Sequence, residues 1–136
     1  MSDITINILD PNFERAIRRE IDKPIGLLYK SDLEKVRKLY LTFHGVKSVQ
    51  GIEYCTNLEI FYGMKNELTC LDLSKNTKLK ELYCNVNELT SLDLSSSIDL
   101  EILHCQYNKL TSIDLSNNVQ LRSVNCSNNV KIVGRV

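Results

Sequence analysis

Cys84, Cys105 and Cys126 recur every 21 residues, and Asp72, Asp93 and Asp114 recur at the same interval. Three thiols could hold zinc, neighbouring thiols could close a disulfide, and three carboxylates could bind calcium. The interval itself argues against the first two. Side chains that appear once per repeat sit on successive strands about 4.8 Å apart, so a row of three spans about 10 Å. Ligands of one zinc lie about 2.3 Å from the metal and within about 4 Å of one another. Parallel Cβ vectors at the strand spacing also exceed the separation that a disulfide needs. The three cysteines are expected to be small, reduced side chains filling core space, with no metal assigned. The chain has 5 cysteines, an odd number that does not close into a disulfide framework. The aspartates lie beside Thr69, Thr90, Thr111 and Ser74, Ser95, Ser116. They read as solvated carboxylates that accept from nearby hydroxyls.

Acid–base chemistry near neutral pH would fall to His44 and His104. His104 is followed by Gln106 rather than by a positioned acid, and Gly26, Gly45, Gly51, Gly63 and Gly134 form no phosphate-cradling loop. No catalytic residue and no cofactor is assigned.

The elements that position these residues are repeats. Leu79, Leu100 and Leu121 are 21 residues apart, as are Leu68, Leu89 and Leu110, and Leu58 and Val36 begin two earlier units. Each unit reads L-x-x-L-x-C-x-x-N-x followed by L-T-x-L-D-L-S-x-N-x-x. Leu82 with Cys84, and Leu92 with Leu94, have the two-residue spacing that places side chains on one face of a strand. Each half is thus predicted to be a short strand followed by a turn. One unit cannot bury its own apolar side, so units stack as parallel coils around a shared core. Leu79, Leu82, Leu89, Leu92 and Leu94 are expected to point inward. Asn66, Asn87, Asn108 and Asn129, at the strand-to-turn corner, are expected to hydrogen-bond backbone groups that the tight corner leaves unpaired.

Ahead of the repeats, Asp10 is placed to cap a helix with Pro11 at its first position and Phe13, Ile17 and Ile21 along one face. Ser31 and Glu34 have capping-box spacing for a second helix. Residues 1–35 are read as a helical cap and residues 36–136 as a solenoid of about five coils.

The repeats from Val36 to about Asn129 resemble leucine-rich repeat proteins, and the 21-residue unit with a strand cysteine resembles the internalin J type. The helical cap and the stretch from Gly51 to Phe61 resemble the start of internalin-like bacterial proteins. The resemblance implies an α/β-type, mostly β leucine-rich repeat solenoid of short right-handed coils, an asparagine ladder, and partner binding on the concave sheet. The first coils depart from the pattern: Leu41 and Gly63 stand at the cysteine position and His44 at that of asparagine.

The variable positions carry the expected function. The fifth position holds Tyr40, Tyr62, Tyr83, His104 and Asn125; the eighth holds Phe43, Lys65, Val86, Tyr107 and Asn128; the third holds Lys38, Ile60, Glu81, Ile102 and Ser123. Met64 joins them from the seventh. An aromatic patch on a solvent-facing sheet points to a protein partner contacted through Tyr40, Phe43, Ile60, Tyr62, Met64, Tyr83, Ile102, His104 and Tyr107. Aromatic pairs across strands also stabilise a sheet by themselves. The second position, Arg37, Glu59, Lys80, Glu101 and Arg122, alternates in sign and reads as strand alignment.

Lys plus Arg equals Asp plus Glu at 17 each, so no overall field draws in nucleic acid or an anionic membrane. No apolar run approaches the roughly 20 residues of a membrane span. The start MSDITINILD lacks a basic and apolar export pattern. For the sequence as given, this and the free cysteines favour the cytoplasm and an intracellular inhibitor or adaptor, whereas the internalin resemblance implies a secreted or surface protein. The irregular end NNVKIVGRV, with Lys131 at a leucine position, lacks an evident capping element. It suggests self-association there, or a stacking segment of a larger assembly.

Overall fold

The computed structural model describes residues 3–134. The N-terminal part begins with β1 (Thr5–Ile6), which pairs antiparallel with β2 (Leu28–Tyr29), and between them runs helix α1 (Pro11–Glu20). Asp10 caps α1, its Oδ1 accepting from the N–H groups of Asn12 at 2.9 Å and Phe13 at 3.3 Å. Phe13, Ala16 and Ile17 form its buried face, and α1 packs on the first solenoid strand. A four-residue helix, α2 (Lys30–Leu33), follows β2. It starts earlier than the Ser31–Glu34 pair suggests: the Asp32 carboxylate accepts from the Tyr29 N–H at 2.9 Å and pairs with Lys23 at 2.8 Å. Ser31 instead donates its hydroxyl to Asp3.

The solenoid follows as coils 36–57, 58–78, 79–99, 100–120 and a fifth from 121. Their first halves supply β3 (Lys38–Tyr40), β4 (Ile60–Tyr62), β5 (Glu81–Tyr83), β6 (Ile102–His104) and β8 (Ser123–Asn125), which form one parallel sheet in that order. The register aligns equal repeat positions, so Tyr40, Tyr62, Tyr83, His104 and Asn125 stand in one row. A 3₁₀ turn at Ile52–Tyr54 closes the first coil. In the second halves, among the described residues, paired strands occur only at the end, as β7 (Ser112–Asp114) with β9 (Lys131–Val133). The expectation of a strand in every second half is corrected there. Between the second and third coils and between the third and fourth, grooves of about 390 Å³ and 280 Å³ separate those segments. Grooves thus separate the coils on this face while the opposite sheet stays paired.

Leu79, Leu82, Leu89, Leu92 and Leu94 are all buried, within a core that runs from the cap through Leu121. Gly63 stands at the cysteine position because its neighbour differs: a Cβ there would come within 2.0 Å of the Phe61 ring. Phe61 fills the space that Leu82 with Cys84, and Leu103 with Cys105, fill in later coils. Among the described residues no helix is long and apolar enough to cross a membrane.

Candidate functional site

The five-stranded sheet presents the fifth-position row as a continuous aromatic stack. The Tyr40 and Tyr62 rings are 5.1 Å apart and 7° from parallel, and Tyr62 and Tyr83 are 5.0 Å apart and 8° from parallel. His104 meets Tyr83 edge-on at 4.9 Å and 75°. The parallel strands cause this arrangement, because they deliver one ring per coil at the strand spacing. Each stacked pair contributes about 0.5–1.5 kcal/mol beyond area burial. Tyr40 is exposed, while Tyr62, Tyr83 and His104 are half-buried with their edges open. The Tyr83 hydroxyl donates to Glu81 Oε1 at 2.8 Å. Partial burial, with the Glu81 carboxylate beside it, pushes the Tyr83 phenol up to about 12, so it stays a donor.

Ile60 and Ile102 flank the row, both half-buried, and Met64 receives the Thr42 hydroxyl at its sulfur at 2.9 Å. The rim is formed by the eighth position, and its backbone is unusual. Phe43, Lys65, Val86 and Tyr107 all have φ between 58° and 61°. Non-glycine residues in this left-handed region cost about 1–3 kcal/mol each, and a β-branched valine is the least suited. None of these four is the glycine or asparagine that would announce the turn; the one asparagine of the column is Asn128. At Lys65, Val86 and Tyr107 the next residue is the ladder asparagine that holds the corner, and at Phe43 it is His44. Phe43 and Tyr107 are each 72% exposed, and the Lys65 ammonium lies 4.4 Å from the Phe43 ring centroid.

Beneath the rim, each ladder asparagine bridges two coils. Asn66 Nδ2 donates to Leu41 O at 2.8 Å and Gly63 O at 3.1 Å, while its Oδ1 accepts from the Val46 N–H at 2.9 Å. Asn87 repeats this with Gly63 O, Cys84 O and the Leu68 N–H, and Asn108 with Cys84 O, Cys105 O and the Leu89 N–H. Asn129 differs: it is exposed and makes no such bonds among the described residues. The fifth coil holds its corner less closely against the fourth, and the amide is left in solvent. In the first coil, His44 replaces the asparagine and its Nε2 lies 3.2 Å from Arg19 of α1.

A second column, to which the repeat pattern gave no role, lies at the turn after the second half. Asn76, Ser97 and Asn118 are fully buried there. Asn76 Nδ2 donates to Ile52 O and Cys55 O, both at 2.9 Å, and Asn118 Nδ2 donates to Leu94 O and Ser97 O at the same distance. The signal was the final asparagine of the 21-residue unit.

Cys84 and Cys105 are buried along the sheet and Cys126 is half-buried, all with free thiols. Burial pushes the Cys105 thiol up to about 12 and raises that of Cys84 further. Cys55 is buried outside this row and Cys70 is exposed. Asp72, Asp93 and Asp114 each accept from the N–H of the serine two residues on, at 2.9–3.0 Å, and the serine hydroxyl and this N–H hold their carboxyls below the usual range. Among the described residues no three His, Cys, Asp or Glu side chains converge as a metal site. In the second-position row, Arg37 pairs with Glu59 at 2.9 Å, Glu59 with Lys80 at 3.8 Å and Glu101 with Arg122 at 3.4 Å. These exposed pairs contribute about 0–1 kcal/mol each and serve alignment.

No family model and no curated protein matches the sequence. Solved structures do. The functional domain of InlJ from Listeria monocytogenes, which includes a cysteine ladder, is 29% identical with a TM-score of 0.84. The match covers 96% of this chain and 30% of that one. Internalin InlF from Listeria monocytogenes strain 4b F2365 is 26% identical with a TM-score of 0.75, over 90% of this chain and 44% of that one. Internalin C2 of the same strain, 18% identical over 96% of each chain with a TM-score of 0.51, shares the fold alone. This chain thus spans about 30% of the InlJ domain's length.

Proposed function

We propose, taking as premise that the chain is an internalin-like leucine-rich repeat protein, that its concave sheet is a non-enzymatic binding face for a protein partner. One observation carries this reading: three stacked tyrosines and a histidine form an unbroken aromatic row whose members are exposed or half-buried. A row built only to hold strands together would not need the bulky, exposed Phe43 and Tyr107 beside it. Tyrosine supplies contact area at low entropy cost and is frequent among binding hot spots. Tyr62 and Tyr83 form the centre, flanked by Ile60, Met64, Ile102 and His104, with Tyr40, Phe43 and Tyr107 at the margin. His104 contacts Tyr83 and hydrogen-bonds to no carboxylate among the described residues, which supports recognition over acid–base chemistry.

The test is affinity capture from source-cell lysate and from extracellular material, with the native protein beside a Tyr62→Ala/Tyr83→Ala variant whose fold is checked by circular dichroism. A partner identified by mass spectrometry should bind the variant at least about 30-fold more weakly, as for hot-spot residues. Equal capture by both proteins would refute the reading. A second reading, self-association through the last coil, is favoured by half-buried Val124, Cys126 and Val130 beside exposed Ile132 and Val133. A concentration-independent monomer mass by light scattering would exclude it.

A further inference from the structure

The coils are not joined equally on the side opposite the five-stranded sheet. Between the first and second coils, the Asn76 amide bridges to Ile52 O and Cys55 O, and Lys78 Nζ donates to Asn57 Oδ1 at 2.6 Å. Between the third and fourth, Asn118 bridges to Leu94 O and Ser97 O, and Asn117 Nδ2 donates to Ser95 O at 3.1 Å. Between the fourth and fifth, β7 pairs with β9. Between the second and third, the bridging position is Ser97. Its side chain is too short to reach the corresponding acceptors, Leu73 O and Asn76 O. It is 1% exposed, and its hydroxyl finds no hydrogen-bond partner. Among the described residues, no hydrogen bond joins 69–78 to 90–99. The larger of the two grooves by volume, about 390 Å³, lies at this same junction, lined by Cys70, Asp72, Ser74, Ser91, Asp93 and Ser96.

The sheet side of this junction is fully joined. Gly63 N–H donates to Tyr83 O at 2.7 Å and Lys65 N–H to Asn85 O at 3.1 Å, and Asn87 bridges to Gly63 O. We propose that the junction between the second and third coils is a built-in hinge. Two hydrogen-bonded blocks, one of the cap with the first two coils and one of the remaining coils, pivot there about the intact sheet. Apolar contact among Leu71, Leu73, Leu92 and Leu94 is non-directional and tolerates the splaying that a bridging amide would prevent. The pivot passes between Tyr62 and Tyr83 and adjusts the curvature of the aromatic row. It is a property of the free chain and does not depend on what that row binds.

Native-state hydrogen exchange, read amide by amide, tests the hinge. In the wild-type chain the N–H groups of Asn76, Leu79, Ser97 and Leu100, which close the two facing turns, should exchange about tenfold faster than that of Asn118. Ser97→Asn should supply the two missing bonds and slow that group about tenfold or more, leaving Asn118 unchanged. Spin labels provide a test that does not require Ser97→Asn to fold. They are placed at Thr77→Cys/Ile98→Cys across this junction and at Ile98→Cys/Val119→Cys across the next, in a Cys70→Ser/Cys126→Ser background. The first pair should give the broader distance distribution. Equal distributions, together with exchange in the facing turns no faster than at Asn118, would overturn the hinge.

Discussion

Asn87, Asn108 and Asn129 occupy one repeat position, yet their replacement by alanine should have three different costs. Asn87→Ala removes the acceptor at 3.0 Å from the buried Leu68 N–H, which has no other partner, and two donations to Gly63 O and Cys84 O. Those carbonyls keep one bond each, from Asn66 and Asn108. A stranded buried N–H costs about 1–3 kcal/mol, and each lost bond to a still-partnered carbonyl about 0.5–1.5 kcal/mol, giving about 2–6 kcal/mol in total. That is a large share of the 5–15 kcal/mol typical of a whole domain, as an order of magnitude. Asn108→Ala breaks the same set of bonds and strands the N–H of buried Leu89, but its own side chain is partly exposed. Truncation admits water from that side, and its cost should lie at the lower end of the range for Asn87, about 2–3 kcal/mol. Asn129→Ala, at an exposed side chain outside the ladder, should lie within about 0.5 kcal/mol of wild type. Urea unfolding of the three variants, followed by circular dichroism, measures the series. Equal losses at all three positions, or a loss at Asn129 matching that at Asn87, would refute the claim that partners rather than repeat position set the energy.

Asp10 joins cap to solenoid, because its Oδ2 also accepts from the Lys47 and Ser48 N–H groups at 2.7 and 3.0 Å. Partial burial works to raise its pKa, but these two N–H groups and those of Asn12 and Phe13 outweigh it, and the net shift is downward. A lowered carboxyl pKa contributes stability that is complete above the unfolded value near pH 3.9 and lost as pH falls through the folded one. Asp10→Asn should therefore be less stable than wild type at pH 7, by about 1–3 kcal/mol, with the difference closing below about pH 4 in urea titrations. Among the thiols, only exposed Cys70 should react rapidly with a disulfide reagent at pH 8, while buried Cys55, Cys84 and Cys105 should wait for denaturant. Rapid modification of Cys84 in the folded protein, read by peptide mass spectrometry, would contradict its placement in the core.

What the sequence determined by itself is whatever repeats or acts locally. The interval of 21 residues specified the coils, the two-residue spacing of Leu82 with Cys84 specified the inward face, and Asp10 followed by Pro11 specified the start of α1. Each of these depends on residues within about one turn or strand, where backbone geometry alone relates spacing to direction. The tyrosine row was legible as a column, since equal positions in parallel coils must align.

Tertiary structure decided what depends on contacts between one coil and the next. A pattern that writes asparagine at the corner cannot distinguish Asn87, held between two coils, from Asn129 in solvent. The left-handed backbone at Val86 and Tyr107 stands at the corner that the following ladder asparagine holds, against the preference of those residues. Whether Gly63 is a defect or a fit depends on the size of Phe61 beside it. Ser97 reads as one more serine in a run of three until the neighbouring turns show that an amide bridges each of them. Hydrogen bonds and packing across coils join residues about 21 positions apart, and their worth is set by which partners remain buried together.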